Sequence, residues 1–261
     1  MHNKKIMIVC LALVACIIVL ALAGCVLFRE REAERIVVTA DDASTGRLVA
    51  ANNMPAALRV FVESATSRVS GSGFYVNKDG YAVTNAHVVD SSGSIYVEDY
   101  EGGTHSARVL YSDASIDIAV LKVDVAVEQS FMKIADSEDP ANMYCGDVVY
   151  FIGNPSNLGL LMSSALVSSS EVYLKNQSGH TQKSILLDGD VNHGNSGGAL
   201  LNKNGAVVGV IYGRMENNSA SSTQKDDIYG LGTAVPSKDL MEFLQACNVD
   251  YTLAGAGESV W

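Results

Sequence analysis

From about residue 55 onward the chain is a succession of short β-branched and aromatic runs, each closed by turn residues, and nothing else constrains its fold as strongly. The runs include Arg59-Val60-Phe61-Val62, Gly73-Phe74-Tyr75-Val76, Tyr81-Ala82-Val83-Thr84, Ile116-Asp117-Ile118-Ala119-Val120-Leu121, Asp147-Val148-Val149-Tyr150-Phe151-Ile152, Ser184-Ile185-Leu186-Leu187 and Ala206-Val207-Val208-Gly209-Val210-Ile211. Between them stand Asn77-Lys78-Asp79-Gly80, Tyr100-Glu101-Gly102-Gly103 and Asn202-Lys203-Asn204-Gly205. Runs this short favour strands over helices, and each tetrapeptide has the chemistry of a tight turn. About a dozen such strands predict an all-β fold of antiparallel barrels or a sandwich. One helix is expected after Pro236-Ser237, where Leu240, Met241 and Leu244 share a face and Ser237 can cap.

The residues ahead of this body read differently. Lys4 and Lys5 precede an uncharged stretch from Ile6 to Phe28, which ends at Arg29-Glu30-Arg31-Glu32. As a helix, its 23 residues would reach about 35 Å, enough to cross a bilayer core of about 30 Å. Leu22-Ala23-Gly24-Cys25 also resembles a bacterial lipobox, so an uncleaved span and a lipid on Cys25 are both open readings. Basic residues before the stretch favour a cytoplasmic N-terminus, with the body tethered outside. Residues 29–54 carry mixed charge and no sustained apolar period, and read as a linker; residues 251–261 read as a tail.

The formal charge is −11, and without Lys4 and Lys5 the balance is 16 basic residues against 29 acidic. Such an acidic body repels phosphate backbones, which argues against a nucleic-acid partner. Of five cysteines, only Cys145 and Cys247 lie outside the leading segment. With no CxxC, HExxH or clustered His/Cys set, no metal and no cofactor is expected.

Three segments carry chemistry. Thr84-Asn85-Ala86-His87-Val88-Val89 puts a histidine at a strand end, Asp117 opens an apolar strand, and Gly194-Asn195-Ser196-Gly197-Gly198 frames a serine with glycines. A serine hydroxyl needs an imidazole base, and the imidazole needs a carboxylate to hold its tautomer. The oxyanion that forms needs converging N–H groups, which a glycine-rich turn can aim without obstruction. Singly, each segment has a structural explanation: a satisfied histidine, a turn carboxylate, a tight turn. Together, in the order His87, Asp117, Ser196, they are far more specific and are expected to form a catalytic triad.

With Gly71-Ser72-Gly73-Phe74, Asp79 to Val89, Asp117 to Lys122, Gly153-Asn154-Pro155 and Gly194 to Gly198, the chain resembles the HtrA/DegP-type branch of trypsin-like serine peptidases. The resemblance covers about residues 55–246, within a peptidase domain read as 55–250. It implies two six-stranded β-barrels with the triad in the cleft between them, and a terminal helix alongside. It also implies cofactor-free endoproteolysis of exposed or unfolded extracytoplasmic proteins, with Gly194 and Ser196 N–H groups as the oxyanion hole. A homotrimer is among the assemblies it suggests. Asp190, His193, Ile211, Tyr212 and Gly213 are expected to contact substrate. The family often appends a PDZ domain; this chain ends about 15 residues after its last predicted helix, so none is expected. His193 stands where the family usually has Pro, and Asp190 where it often has Ala. The resemblance also brings Cys145 and Cys247 near enough to consider a disulfide, with two separate buried thiols as the alternative.

Two rival readings arise. The Gly194-x-Ser196-x-Gly198 spacing also fits the nucleophile elbow of α/β-hydrolases, but those enzymes need a histidine after the serine and none follows Ser196. A dormant peptidase fold that only binds peptides keeps all three motifs and stays open. Asp190 has two readings. Its six-residue spacing before Ser196 matches the specificity aspartate of trypsin and would select Arg or Lys, whereas an outward-facing Asp190 would have no such role. In pancreatic-type trypsins an Asp beside the nucleophile pairs with a newly cut N-terminal amine; Asn195, neutral, cannot. A chain beginning at Ala40 is therefore expected to be active without maturation. Activity that emerges only after a defined N-terminal cut would refute this.

Overall fold

In the computed structural model, the described residues are 41–217 and 226–261. The apolar stretch Ile6–Phe28 lies outside them, and no helix among them is long and apolar enough to cross a membrane. Residues 43–261 form one compact unit.

The predicted strands assemble into two closed antiparallel barrels of six strands each. The first comprises β1 (Ala57–Glu63), β2 (Arg68–Tyr75), β3 (Tyr81–Thr84), β4 (Ser94–Glu98), β5 (Thr104–Asp113) and β6 (Ile118–Val123), in the order β1-β2-β3-β6-β5-β4. The second comprises β7 (Val148–Gly153), β8 (Leu161–Lys175), β9 (Thr181–Asp188), β10 (Ala199–Leu201), β11 (Val207–Asn217) and β12 (Asp226–Pro236), in the order β10-β11-β12-β9-β8-β7. Closure leaves neither sheet with an unpaired edge. The three turn tetrapeptides read from the sequence join β2 to β3, β4 to β5 and β10 to β11.

Alternation along the strands divides the apolar residues into three cores. Leu58, Val60, Val62, Leu121 and Val123 fill the first barrel, and Phe151, Ile185, Leu187, Val208 and Ile211 fill the second. The opposite faces make a third core: Phe74, Val83, Ile118 and Val120 of the first barrel belong to the same cluster as Ile152, Val207, Val210 and Val235 of the second. Strand β6 shows the logic of period two. Ala119, Leu121 and Val123 point into their own barrel, while Ile118 and Val120 belong to the layer shared with the other barrel.

Helices fill the flanks. Residues 41–53, inside the stretch read as a linker, form helix α1 (Asp41–Asn53), which buries Val49 and Asn53. With two buried side chains among the described residues 45–53, only one of them apolar, there is no apolar period to read. Helix α2 (Ala86–Val89) is a single turn after β3, and α3 (Ser237–Ala246) is the predicted terminal helix, burying Leu240, Met241 and Leu244. The capping role expected of Ser237 is not observed. Pro236 is the N-cap residue, and the buried Ser237 hydroxyl donates to Ala135 O at 2.5 Å while accepting from Ser137 N at 3.1 Å. It ties α3 to the segment between the barrels.

Cys145 and Cys247 are free thiols, so the bridge is not formed; nor are both buried. Cys145 is exposed and its Sγ donates to Ser168 O at 3.2 Å. Cys247 is half-buried, and burial, with the charge of Asp113, pushes its thiol up from the ordinary value.

Ser237→Ala would leave a buried carbonyl and a buried N–H without their partner. It is expected to cost about 1–3 kcal/mol in urea denaturation. An unchanged midpoint would show that α3 is held by its apolar face alone.

Candidate active site

His87 enters the cleft because β3 ends at Thr84 and the chain turns into α2. Its ring Nδ1 lies 2.8 Å from Asp117 Oδ2, and its backbone N–H donates to Asp117 Oδ1 at 3.0 Å. Asp117 sits immediately before β6 with φ 55, a left-handed conformation that Asp tolerates better than most side chains. Asn85 Nδ2 holds that conformation by donating to Asp117 O at 2.8 Å. The carboxylate is only 1% exposed and the imidazole 17%, so the pair is buried from the Asp side and open on the other.

Ser196 reaches the cleft from the turn between β9 and β10. Its hydroxyl donates to Tyr212 O at 3.3 Å. The glycines of the turn have physical reasons. Gly194 and Gly197 have φ of 96 and 87, and a Cβ on either would enter a neighbouring backbone: Asn154 O at Gly194, Ser72 O at Gly197. The backbone N–H of Asn195 donates to Asn192 O, that of Gly197 to Ile211 O and that of Gly198 to Asn195 O. Among the described residues, the N–H groups of Gly194 and Ser196 donate to none of these carbonyls.

The cleft encloses about 720 Å³ between the barrels. Val69, Ser70, His87 and Val88 line it from the first barrel, and Val191 to Gly194, Ser196, Tyr212, Gly213 and Thr233 from the second. The structure thus brings His87 and Ser196 to one cavity, with Asp117 behind the imidazole. Among the expected substrate-contacting residues, His193, Tyr212 and Gly213 line this cavity. Asp190 and Ile211 do not. Ile211 is fully buried inside the second barrel, where its carbonyl accepts from Gly197 N at 2.7 Å. Asp190 is exposed and is not among the residues lining the cleft, which favours the outward-facing of its two readings. An unpaired carboxylate is costly to bury, which is in keeping with an exposed Asp190.

Part of the wall had no sequence signal. Residues 173–177, at the end of β8 and start of the β8–β9 hairpin, line the cavity. Buried Asn176 anchors them there: its Nδ2 donates to Ala114 O at 2.9 Å and to Gln182 Oε1 at 2.8 Å. That reach from the second barrel to the loop before Asp117 spans 62 positions of sequence. Tyr212 is also fixed from beneath, its phenol 3.0 Å from Ser184 Oγ. Burial, with the charge of Asp117 adding to it, pushes this phenol up, so it stays protonated and neutral. Among the described residues, no three His, Cys, Asp or Glu side chains gather as metal ligands.

Two closed six-stranded barrels with a cleft between them define a two-barrel, trypsin-like architecture. Comparison with known proteins agrees. The trypsin-like peptidase domain family matches residues 71–210, more than half of the chain. The chain is 36% identical over 195 residues to the probable serine protease do-like of Buchnera aphidicola subsp. Acyrthosiphon pisum, covering 73% of this chain and 38% of that protein. It is 35% identical over 172 residues to a probable periplasmic serine endoprotease, DegP-like, of Chlamydia trachomatis serovar D, covering 65% of this chain and 32% of that one. Among solved structures it is similar to the HtrA-type protease AlgW with a tripeptide, at TM-score 0.65 and 28% identity, covering 77% of this chain and 62% of that one. The chain belongs to the trypsin-like peptidase family, in its HtrA/DegP-type branch. It spans about a third of the length of the two curated relatives named here.

Because Asp190 faces solvent, Asp190→Ala is expected to leave the residue preference at the cleavage site unchanged within about twofold. Profiling cut sites in a denatured protein mixture checks this. A preference for Lys or Arg that the substitution abolishes would return Asp190 to the cleft.

Proposed function

We propose that this chain is a serine endopeptidase acting on unfolded or exposed segments of extracytoplasmic proteins, with His87, Asp117 and Ser196 as its triad. The observation that carries the reading is the His87–Asp117 pair at 2.8 Å, buried on the Asp side and opening onto the same cavity as Ser196. Asp117 accepts from Nδ1 and leaves Nε2 as the basic nitrogen facing the cleft. Nε2 takes the Ser196 proton as Oγ attacks the peptide carbonyl. It then returns that proton to the leaving amine, and water repeats the sequence on the acyl-enzyme. The N–H groups of Gly194 and Ser196 receive the oxyanion in this scheme. Peptide bonds are trans, so a carbonyl and the following N–H point opposite ways. His193 O accepts from Ser156 N at 2.8 Å, away from the cleft, which supports a Gly194 N–H directed into it.

Extracytoplasmic action rests on the topology read for Ile6–Phe28, as a span or as a lipid on Cys25, and on the periplasmic relative. The acidic body suits protein rather than nucleic-acid substrates. A second reading, a dormant binder of peptides, draws on the Ser196 hydroxyl, which is bonded to Tyr212 O. In the catalytic reading the hydroxyl must leave Tyr212 O and turn toward His87, so the 3.3 Å bond is that of a resting serine.

Ser196→Ala is expected to lower turnover of unfolded casein by about 10⁶-fold with the fold intact. The parent should also be labelled stoichiometrically by a fluorophosphonate. Equal casein cleavage by variant and parent would remove Ser196 from the mechanism, and a parent that resists the probe would favour the dormant reading.

A further inference from the structure

Four successive carbonyls of the nucleophile turn are each held by a hydrogen bond. His193 O accepts from Ser156 N at 2.8 Å and Asn195 O from Gly198 N at 2.9 Å. The other two accept from one residue of the opposite barrel. Ser72 Oγ donates to Gly194 O at 2.6 Å, and Ser72 N donates to Ser196 O at 2.7 Å. The same hydroxyl accepts from Asn154 N at 2.8 Å, so its single proton has one possible direction, toward Gly194. Thr84 Oγ1 donates to Ser72 O at 2.7 Å, which ties Ser72 to the strand leading into His87. Ser72 is fully buried, with glycine on either side. A Cβ at Gly71 would meet Val88 at 2.7 Å and one at Gly73 would meet Val83 O at 2.7 Å. The strand is stripped of side chains where the turn approaches, and the one it keeps is a hydroxyl.

We propose that Ser72 is a positioning residue for the oxyanion-binding turn: from across the barrel junction it fixes the two peptides that flank the Ser196 N–H, the first of which also follows the Gly194 N–H, so that the turn keeps these N–H groups aimed at the cleft. This rests on the peptidase reading above. The carbonyls that Ser72 holds share their peptides with Asn195 N–H and Gly197 N–H, so the bonds fix the backbone on either side of the Ser196 peptide and just after the Gly194 N–H. Gly194 has no side chain to restrict that rotation, and the Ser72 hydroxyl that restrains it arrives from 122 residues earlier in the chain. Catalysis by such a turn depends on donors already oriented before charge develops, because reorientation during the reaction would consume the advantage. A latch on the turn therefore acts on the transition state and leaves ground-state binding nearly untouched.

The test is Ser72→Ala. Direct removal of one oxyanion donor costs about 10²–10³ in rate. Loss of a latch behind the donor is expected to lower kcat by about 10- to 100-fold. KM should stay within about threefold, and affinity for a peptide boronate should fall in parallel with kcat/KM. Rates are expressed per serine titrated by a fluorophosphonate at saturation, so a misfolded fraction does not count as slow catalysis. A kcat per titrated site within about twofold of the parent would overturn the proposal, as would a loss confined to KM. Should Ser72→Ala not accumulate as folded protein, Ser72→Cys, with a longer and weaker donor, is measured in its place, and the same losses support or overturn the proposal. A parent that neither cleaves casein nor takes the fluorophosphonate would instead defeat the peptidase reading, which separates the two failures.

Discussion

Backbone packed directly on backbone, without side chains between, is the constraint on which the rest of this structure depends. The turn Gly194–Gly198 lies between the barrels so closely that a Cβ on Gly197 would enter Ser72 O and one on Gly198 would enter Ile152 O. Close approach lets short hydrogen bonds form across the junction, at 2.6 Å and 2.7 Å from Ser72 alone. Such a junction has little tolerance for displacement, since packed interiors rearrange in steps rather than stretch. Any group held by the turn is therefore held relative to both barrels at once.

The shared apolar layer makes that geometry stiff. Strands that face their own barrel with one set of residues face the other barrel with the alternate set, as Ile118 and Val120 do beside Ala119 and Leu121. Asp117 stands at the head of this layer. It is buried because β6 is buried on both faces, and its left-handed backbone turns the carboxylate back toward α2. A buried carboxylate is costly unless it is paired. Here the imidazole and the N–H of His87 compensate it, and the pairing aligns the ring toward the cleft. Burial and orientation are one arrangement.

Much of this was legible along the chain, for reasons that differ by element. The motifs around His87, Asp117 and Ser196 sit where strand runs meet turn residues, so pattern and chemistry coincide there. Strand β8 was harder. It is largely exposed and serine-rich, and bulges between Val167 and Val172 break its alternation. Helix α1 fell within a stretch read as a linker because, among its described side chains 45–53, Val49 is the one apolar residue buried. The spacing of Asp190 to Ser196 suggested a specificity carboxylate, yet spacing does not say which way a side chain faces. Ser237 had the residue type of a cap, and its hydroxyl went instead to the segment between the barrels, where a buried carbonyl and N–H needed it.

By itself, the sequence determined the class of fold, the sites of its turns and the residue types gathered for nucleophilic chemistry. Each of these follows from local physics: period-two burial, positive φ at glycine, and the acid–base character of side chains. Only the tertiary structure decided which of those residues share a cavity, that Asp190 faces solvent, and that Ser72 and Asn176 brace the cleft. Those outcomes depend on contacts between positions 62 and 122 residues apart. Contacts of that range exist only once both barrels have closed and packed, because no local preference places a hydroxyl from one sheet against a carbonyl of another.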